Sequence, residues 1–166
     1  NQFGDGQATS QFVAVTDSTH GGLRKFADEI GLETFDVPAN VGGRFSVLSN
    51  VGLVPLALAG YPIERLLAGA RFARNAAFEE EIAESALVRS AGHHYLLGEM
   101  GYSQTVMMPY CDQLAGLAEW FCQLWGESLG KSHTREGELV NVGLTPIRAL
   151  GVVDQHSQVQ LYAAGP

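Results

Sequence analysis

A chain of 166 residues with 46% hydrophobic and 17% charged content has the composition of an ordinary globular domain able to bury a core, not that of a disordered tail. A formal net charge of −8 with only ten Lys and Arg excludes a broad nucleic-acid or anionic-membrane surface, since either partner needs clustered cations to offset its phosphates. Any anionic ligand must therefore be held by a few local cations and backbone N–H groups.

The first eleven residues are polar and glycine-rich and read as a loop or frayed end. Residues 12–16 form a short apolar, β-rich run, as in a strand covered on both faces. Over 18–30 the apolar Leu23, Phe26, Ala27 and Ile30 keep helical spacing, and Gly31 is placed to stop the helix. A second brief strand over 33–37 ends at Pro38, so strand, helix and strand follow one another as in a parallel α/β unit. Residues 45–59 are apolar almost all round and predict a buried helix ended by Gly60, and Pro62 suits the first turn of another through Ile63, Leu66, Leu67 and Ala70.

The pattern becomes more charged at 71–75, which sets an expected domain boundary near residue 72. A long helix over 76–97, a strand over 104–108 and an amphipathic helix over 112–129 follow, the last with Leu114, Leu117, Ala118, Phe121, Leu124 and Trp125 on one side. Residues 131–141 read as polar loop, 145–153 as a strand and 155–164 as a closing helix. The expected architecture is α/β, with parallel sheets flanked by helices in two pieces, 1–72 and 73–166.

No apolar run approaches the roughly 18 to 20 residues of a spanning helix; the stretch 51–60 is too short and holds Pro55. The first residues lack the charged-then-apolar pattern of a signal peptide. Cys111 and Cys122 are eleven positions apart in one expected helix, about 16 Å along its axis, too far to pair. Unpaired thiols suit a reducing compartment, so the expected location is cytoplasmic. Asn1 is not a methionine, and Pro166 comes directly after a helix, so a piece of a longer protein is expected.

Three segments hold residues suited to chemistry. In Val41-Gly42-Gly43-Arg44-Phe45-Ser46, two glycines ahead of a helix allow close approach of a ligand to backbone N–H groups at the positive helix end, and Arg44 adds a permanent charge. Alone, such a turn is more often a structural connection. In Gln123-Leu124-Trp125-Gly126-Glu127-Ser128-Leu129-Gly130-Lys131, a carboxylate beside Trp125 near a glycine-loosened helix end could be desolvated towards general-base duty, although a lone glutamate is more often an ordinary surface group. In Asp154-Gln155-His156-Ser157-Gln158, a histidine sits at a strand-to-helix junction, where open α/β sheets bind ligands. A helix-start cluster capped by Asp154 explains it equally well on local grounds.

Together, and in this order, the three segments resemble the signatures of the glucose-6-phosphate isomerase family, and the similarity runs from about Phe12 to Pro166. That resemblance implies parts of two SIS (sugar isomerase) domains of flavodoxin-like type: the C-terminal part of the first in 1–72 and the N-terminal part of the second in 73–166. It implies an aldose–ketose isomerase interconverting glucose 6-phosphate and fructose 6-phosphate through a cis-enediol, in glycolysis and gluconeogenesis. Glu127 is then the base, His156 assists ring opening, Arg44 stabilises the enediolate, and Gly43 and Gln123 contact substrate. The resemblance further implies no metal and no organic cofactor, a homodimer, and His156 serving the neighbouring subunit's site. The family's Ser/Thr-rich phosphate loop and its C-terminal lysine-bearing helix have no counterpart in these residues, so the chain alone is expected to be inactive. The alternatives are an isomerase that also accepts mannose 6-phosphate and a non-catalytic SIS module that binds phosphosugars; Glu127 and His156 together speak against the latter.

The other conspicuous residues have structural explanations. His93-His94 followed by Glu99 lacks the i, i+4 histidine spacing of a helical zinc site. His20 and His133 fall in polar loops. Met107, Met108, Trp120 and Phe121 are expected in the core.

Overall fold

In a computed structural model the described residues are 9–79, 81, 82 and 84–165. Most of the expected N-terminal loop (1–8), two positions of the expected helix over 76–97 (80 and 83) and Pro166 lie outside them. The chain divides into two compact units, Asn1–Glu79 and Glu80–Pro166.

In the first unit, β1 (Val13–Asp17) and β2 (Glu33–Val37) pair in parallel, with Val13 opposite Glu33 and Asp17 opposite Val37. The crossover between them is α1 (Gly22–Ile30). It starts four residues later than its apolar spacing suggests, because Asp17 first folds the chain into a turn. Asp17 Oδ1 accepts the backbone N–H groups of Thr19 and His20, both at 2.8 Å, and Gly21 then takes φ 100°. Gly31 ends α1 in the left-handed conformation, φ 69°, as expected.

The helix expected over 45–59 is two pieces. Gly43–Leu48 is a 3-10 turn, and α2 (Asn50–Leu58) begins after Ser49, whose side chain accepts the Val51 N–H. Serines divide the run: Ser46 Oγ donates to Gly43 O at 2.7 Å and Ser49 Oγ to Ser46 O at 2.6 Å, so side chains compete for carbonyls a continuous helix would use. Nor is α2 buried: it has no buried residue, and Leu58 is 73% exposed. α3 (Ile63–Glu79) runs through the position of the expected boundary at residue 72.

The second unit opens with α4 (Ala86–Glu99) after Ser85. Then come β3 (Gln104–Met107), a 3-10 turn at Asp112–Leu114, α5 (Ala115–Leu129), β4 (Lys131–His133), β5 (Leu139–Val142), β6 (Thr145–Arg148) and α6 (Val153–Ala164). β3 and β6 are parallel, Gln104 opposite Thr145 and Met107 opposite Arg148, and α5 packs on both. Residues 131–141, expected as loop, instead form the antiparallel β4–β5 hairpin. Its turn is closed by Thr134 Oγ1, which accepts the Glu136 and Glu138 N–H groups, and by Gly137 at φ 90°. Polar side chains hid it: among the described residues nothing buries either face, and all seven strand residues are exposed.

The fold class is therefore α/β, with parallel strands flanked by helices in each unit. The core differs from the compositional expectation. Among the described residues the buried apolar side chains are four alanines, Ala14, Ala27, Ala118 and Ala149. Met107, Met108 and Phe121 are half-buried, while Trp120, expected inside, is 42% exposed. A completely buried Leu or Phe contributes about 1.5 to 3 kcal/mol, and these half-open positions collect only part of that.

Candidate functional site

Arg44 lies on the 3-10 turn of the first unit, exposed, with its guanidinium carbon 5.9 Å from the centre of the Phe45 ring. The turn packs closely on α2. A Cβ at Gly52 of α2 would lie 2.1 Å from the carbonyl oxygen of Val47, so only glycine lets α2 pass this closely. Gly43 differs: a Cβ there meets nothing within 4 Å, which leaves its N-terminal side of the turn open to an approaching group. The helix end inferred from the Gly-Gly pair is thus a six-residue 3-10 turn, with the α-helix proper starting seven residues after Gly43.

In the second unit Gln123 and Glu127 are one turn apart on the exposed face of α5, and Gln123 Nε2 donates to Glu127 Oε1 at 3.4 Å. The expectation that Trp125 desolvates Glu127 fails for a geometric reason: residues two apart on a helix point in different directions. Trp125 turns the other way, its ring 5.0 Å from those of Phe121 and His94. His94 is fixed in turn by its Nδ1, 2.8 Å from Ser90 O; a carbonyl can only accept, so Nδ1 carries the proton. These rings line an apolar groove of about 1020 Å³ with Leu87, Met107 and Leu144. Neither Gln123 nor Glu127 nor His156 is among its lining residues. Sequence reasoning set His94 aside as structural; the i, i+4 pair Phe121 and Trp125 was the available sign of a ring cluster.

His156 is exposed in the first turn of α6. Asp154 ties this turn to the strand before it, Oδ2 accepting the Leu150 N–H at 2.6 Å and Oδ1 the Gln158 amide at 3.3 Å. Asp154 does not cap α6 as expected: the helix starts at Val153, one residue before it, with Val152 at the N-cap making no side-chain bond, and Asp154 lies inside the first turn.

The path of the chain sets Glu127 and His156 apart. α5 runs back along the sheet: a Cβ at Gly126 would lie 3.9 Å from Pro146 Cγ at the start of β6, and one at Gly143, just before β6, would lie 3.3 Å from Gly130 Cα. Glu127 therefore sits at the N-terminal edge of the parallel pair. His156 follows the C-terminal end of β6, on the far side of a strand about 13 Å long at 3.3 Å per residue. The C-terminal end of α5, which carries Glu127, and the start of α6, which carries His156, thus lie toward opposite ends of β6.

Among the described residues no group of three or more His, Cys, Asp or Glu is placed to hold a metal ion, and no helix is long and apolar enough to cross a membrane. Cys111 and Cys122 are both free, but Cys111 precedes the 3-10 turn and does not lie on α5, so the argument from a shared helix axis does not apply.

Comparison with known proteins gives these positions their context. The phosphoglucose isomerase family profile matches residues 2–166. The chain is 51% identical over 158 residues to a glucose-6-phosphate isomerase of Carboxydothermus hydrogenoformans, covering 95% of this chain and 34% of that protein. It is 47% identical over 163 residues to one of Rubrobacter xylanophilus, covering 98% and 36% respectively. A crystal structure of a hypothetical protein from Thermus thermophilus superposes with a TM-score of 0.87 at 43% identity, covering 99% of this chain and 38% of that one. The chain spans about a third of the length of the relatives it matches. With the match running from residue 2 to residue 166, the chain belongs to the phosphoglucose isomerase family.

Proposed function

We propose that the protein carrying this chain is a glucose-6-phosphate isomerase, a cytoplasmic enzyme of glycolysis and gluconeogenesis that interconverts glucose 6-phosphate and fructose 6-phosphate. The observation that carries the proposal is the family match over residues 2–166, within which Arg44, Glu127 and His156 are all exposed side chains. His156 handles the proton at the ring oxygen as the C1–O5 bond opens. Glu127 then takes the C2 proton as base and returns it to C1, through a cis-enediol. Arg44 stabilises negative charge on the enediolate oxygens, in the manner of a preorganised cation. Gln123 orients the Glu127 carboxylate and contacts substrate, and the open space at Gly43 admits the sugar beside Arg44. The chemistry requires no cofactor, because the carbanion is delocalised onto the adjacent carbonyl.

The two units represent parts of two SIS domains, and the protein acts as a homodimer in which His156 serves the site containing the other subunit's Glu127. That the end of α5 carrying Glu127 packs near the start of β6, while His156 follows the end of that strand, supports this reading. Full-length Glu127→Gln and His156→Ala variants are each expected to be nearly inactive. Co-refolded, they should regain about one quarter of wild-type activity, since about half of randomly paired dimers are mixed and each mixed dimer has one intact site. Mixed dimers as inactive as their parents would place His156 in its own chain's site. Assays of the wild-type protein with glucose 6-phosphate and mannose 6-phosphate separate a dedicated isomerase from a dual one, and turnover of neither substrate defeats the proposal.

A further inference from the structure

Tyr110 follows the C-terminal end of β3, and its ring lies against Gly151 at the β6–α6 junction. A Cβ at Gly151 would fall 2.6 Å from Cδ1 and Cε1 of this ring and 2.7 Å from Cγ, so the contact exists only because residue 151 is glycine. The backbone beneath is held as well: Ala149 N–H donates to Met107 O at 3.0 Å and Gly151 N–H to Pro109 O at 2.9 Å, extending the β3–β6 pairing beyond both strands. From this seat the Tyr110 hydroxyl donates to Gln155 Oε1 at 2.5 Å. Gln155 directly precedes His156.

The first turn of α6 is thereby pinned from two directions. Asp154 binds it back to Leu150 along the chain, and Tyr110 binds it across the sheet, 45 residues away in sequence. The Asp154 bond ties the first turn to the loop that leads into it. A second attachment at Gln155 fixes its rotation about the axis, and hence the direction in which the next side chain leaves the helix. We propose that Tyr110 is a positioning residue for His156, acting through Gln155 to aim the imidazole at the sugar ring oxygen. This rests on His156 being the residue that assists ring opening. Misplacement of a catalytic group by about 1 Å can cost on the order of 10²-fold in rate, so one hydrogen bond at this lever is worth testing.

The test isolates ring opening in the full-length protein. On a Glu127→Gln background, which cannot move the C2 proton, ring opening and closing remain measurable as interconversion of the α and β anomers of glucose 6-phosphate by NMR exchange. Adding Tyr110→Phe keeps the aromatic ring on Gly151 and removes only the hydroxyl. Anomer interconversion should fall about tenfold, the effect of losing one well-aligned hydrogen bond on the step, with substrate affinity within about twofold and an unchanged melting temperature. Gln155→Met should produce the same loss, and the two changes together no more than either alone, because both break one interaction. Should Tyr110→Phe lower the melting temperature, Gln155→Met, which leaves the Tyr110–Gly151 contact alone, decides the matter. Parental anomer rates in both variants, alongside a strong loss in His156→Ala, would overturn the positioning role while leaving His156 in place. A parental rate in His156→Ala itself would remove His156 from ring opening and the inference with it.

Discussion

Two glycines of the first unit make opposite forecasts, and the pair separates folding from function at Arg44. Alanine at residue 52 gains helix propensity, about 1 kcal/mol over glycine in a helix interior. Its Cβ, however, must sit 2.1 Å from Val47 O, 2.9 Å from Val47 C and 3.1 Å from Val47 Cα, all backbone atoms with no rotamer to yield. Relief requires moving α2 against the 3-10 turn by about 1 Å, an overpacking of the kind that costs about 3 kcal/mol at the upper end of its usual range. The clash outweighs the propensity, and Gly52→Ala should lose about 2 kcal/mol net. Gly43→Ala meets nothing within 4 Å and should keep or slightly raise stability, by up to about 1 kcal/mol through the unfolded chain. Yet it places a methyl group where the substrate is proposed to approach. Urea unfolding with kcat/KM on the full-length variants decides both. Gly52→Ala within about 0.5 kcal/mol of wild type would refute the steric argument, and an unimpaired Gly43→Ala enzyme would remove Gly43 from substrate contact.

Arg24 joins α1 to both strands, donating to Asp17 O at 2.9 Å, Thr34 Oγ1 at 3.0 Å and Asp36 Oδ1 at 2.6 Å from a side chain only 12% exposed. Arg24→Met should cost roughly 2 to 3 kcal/mol in denaturant unfolding, given that charged hydrogen bonds contribute about 1.5 to 3 each and Asp36 regains water; a loss below about 0.5 would show the clamp to be idle. The backbone N–H groups of Thr19 and His20 hold the Asp17 carboxyl below its ordinary value. Because the folded value is the lower one, this stabilisation is complete above the unfolded pKa of about 3.9 and is lost as pH falls below it. A carboxyl NMR titration should give Asp17 a midpoint beneath the ordinary aspartate value, and one at or above it would contradict the turn geometry. The 166-residue chain by itself should show no isomerase turnover, and normal turnover by the purified chain would refute this.

Local patterns carried the first β–α–β unit well: the apolar run of β1, the spacing of Ala27 and Ile30, Gly31 as a left-handed stop and Pro38 after β2 each act within a few residues. Elements that depend on side chains bonding to their own backbone were harder to see. Ser46 and Ser49 cut an apolar stretch that hydropathy treats as continuous, and Thr134 closes a hairpin from residues whose polarity suggests loop. Burial was overstated for the same run. Apolarity says that a surface prefers cover, as at Leu58 and Trp120, but not that this stretch of chain supplies it. The segments around Arg44, Glu127 and His156, proposed as the site, stood out by residue type and order. The direction of Trp125 did not, because adjacency in sequence is not adjacency on a helix. Tyr110 was also beyond reach, since its tie to Gln155 spans 45 residues and depends on a missing Cβ at Gly151.

The central chemical claim is that Glu127 moves a proton at C2, and exchange of that proton with deuterated solvent tests it most directly. With full-length protein and glucose 6-phosphate, wild type should wash deuterium into the C2 position as product forms and returns. Glu127→Gln keeps the size of the side chain but cannot accept a proton, so exchange should fall by about 10² to 10⁴ while substrate binding, measured by calorimetry, stays within a few fold. Exchange at near wild-type rate in Glu127→Gln would show that another group is the base.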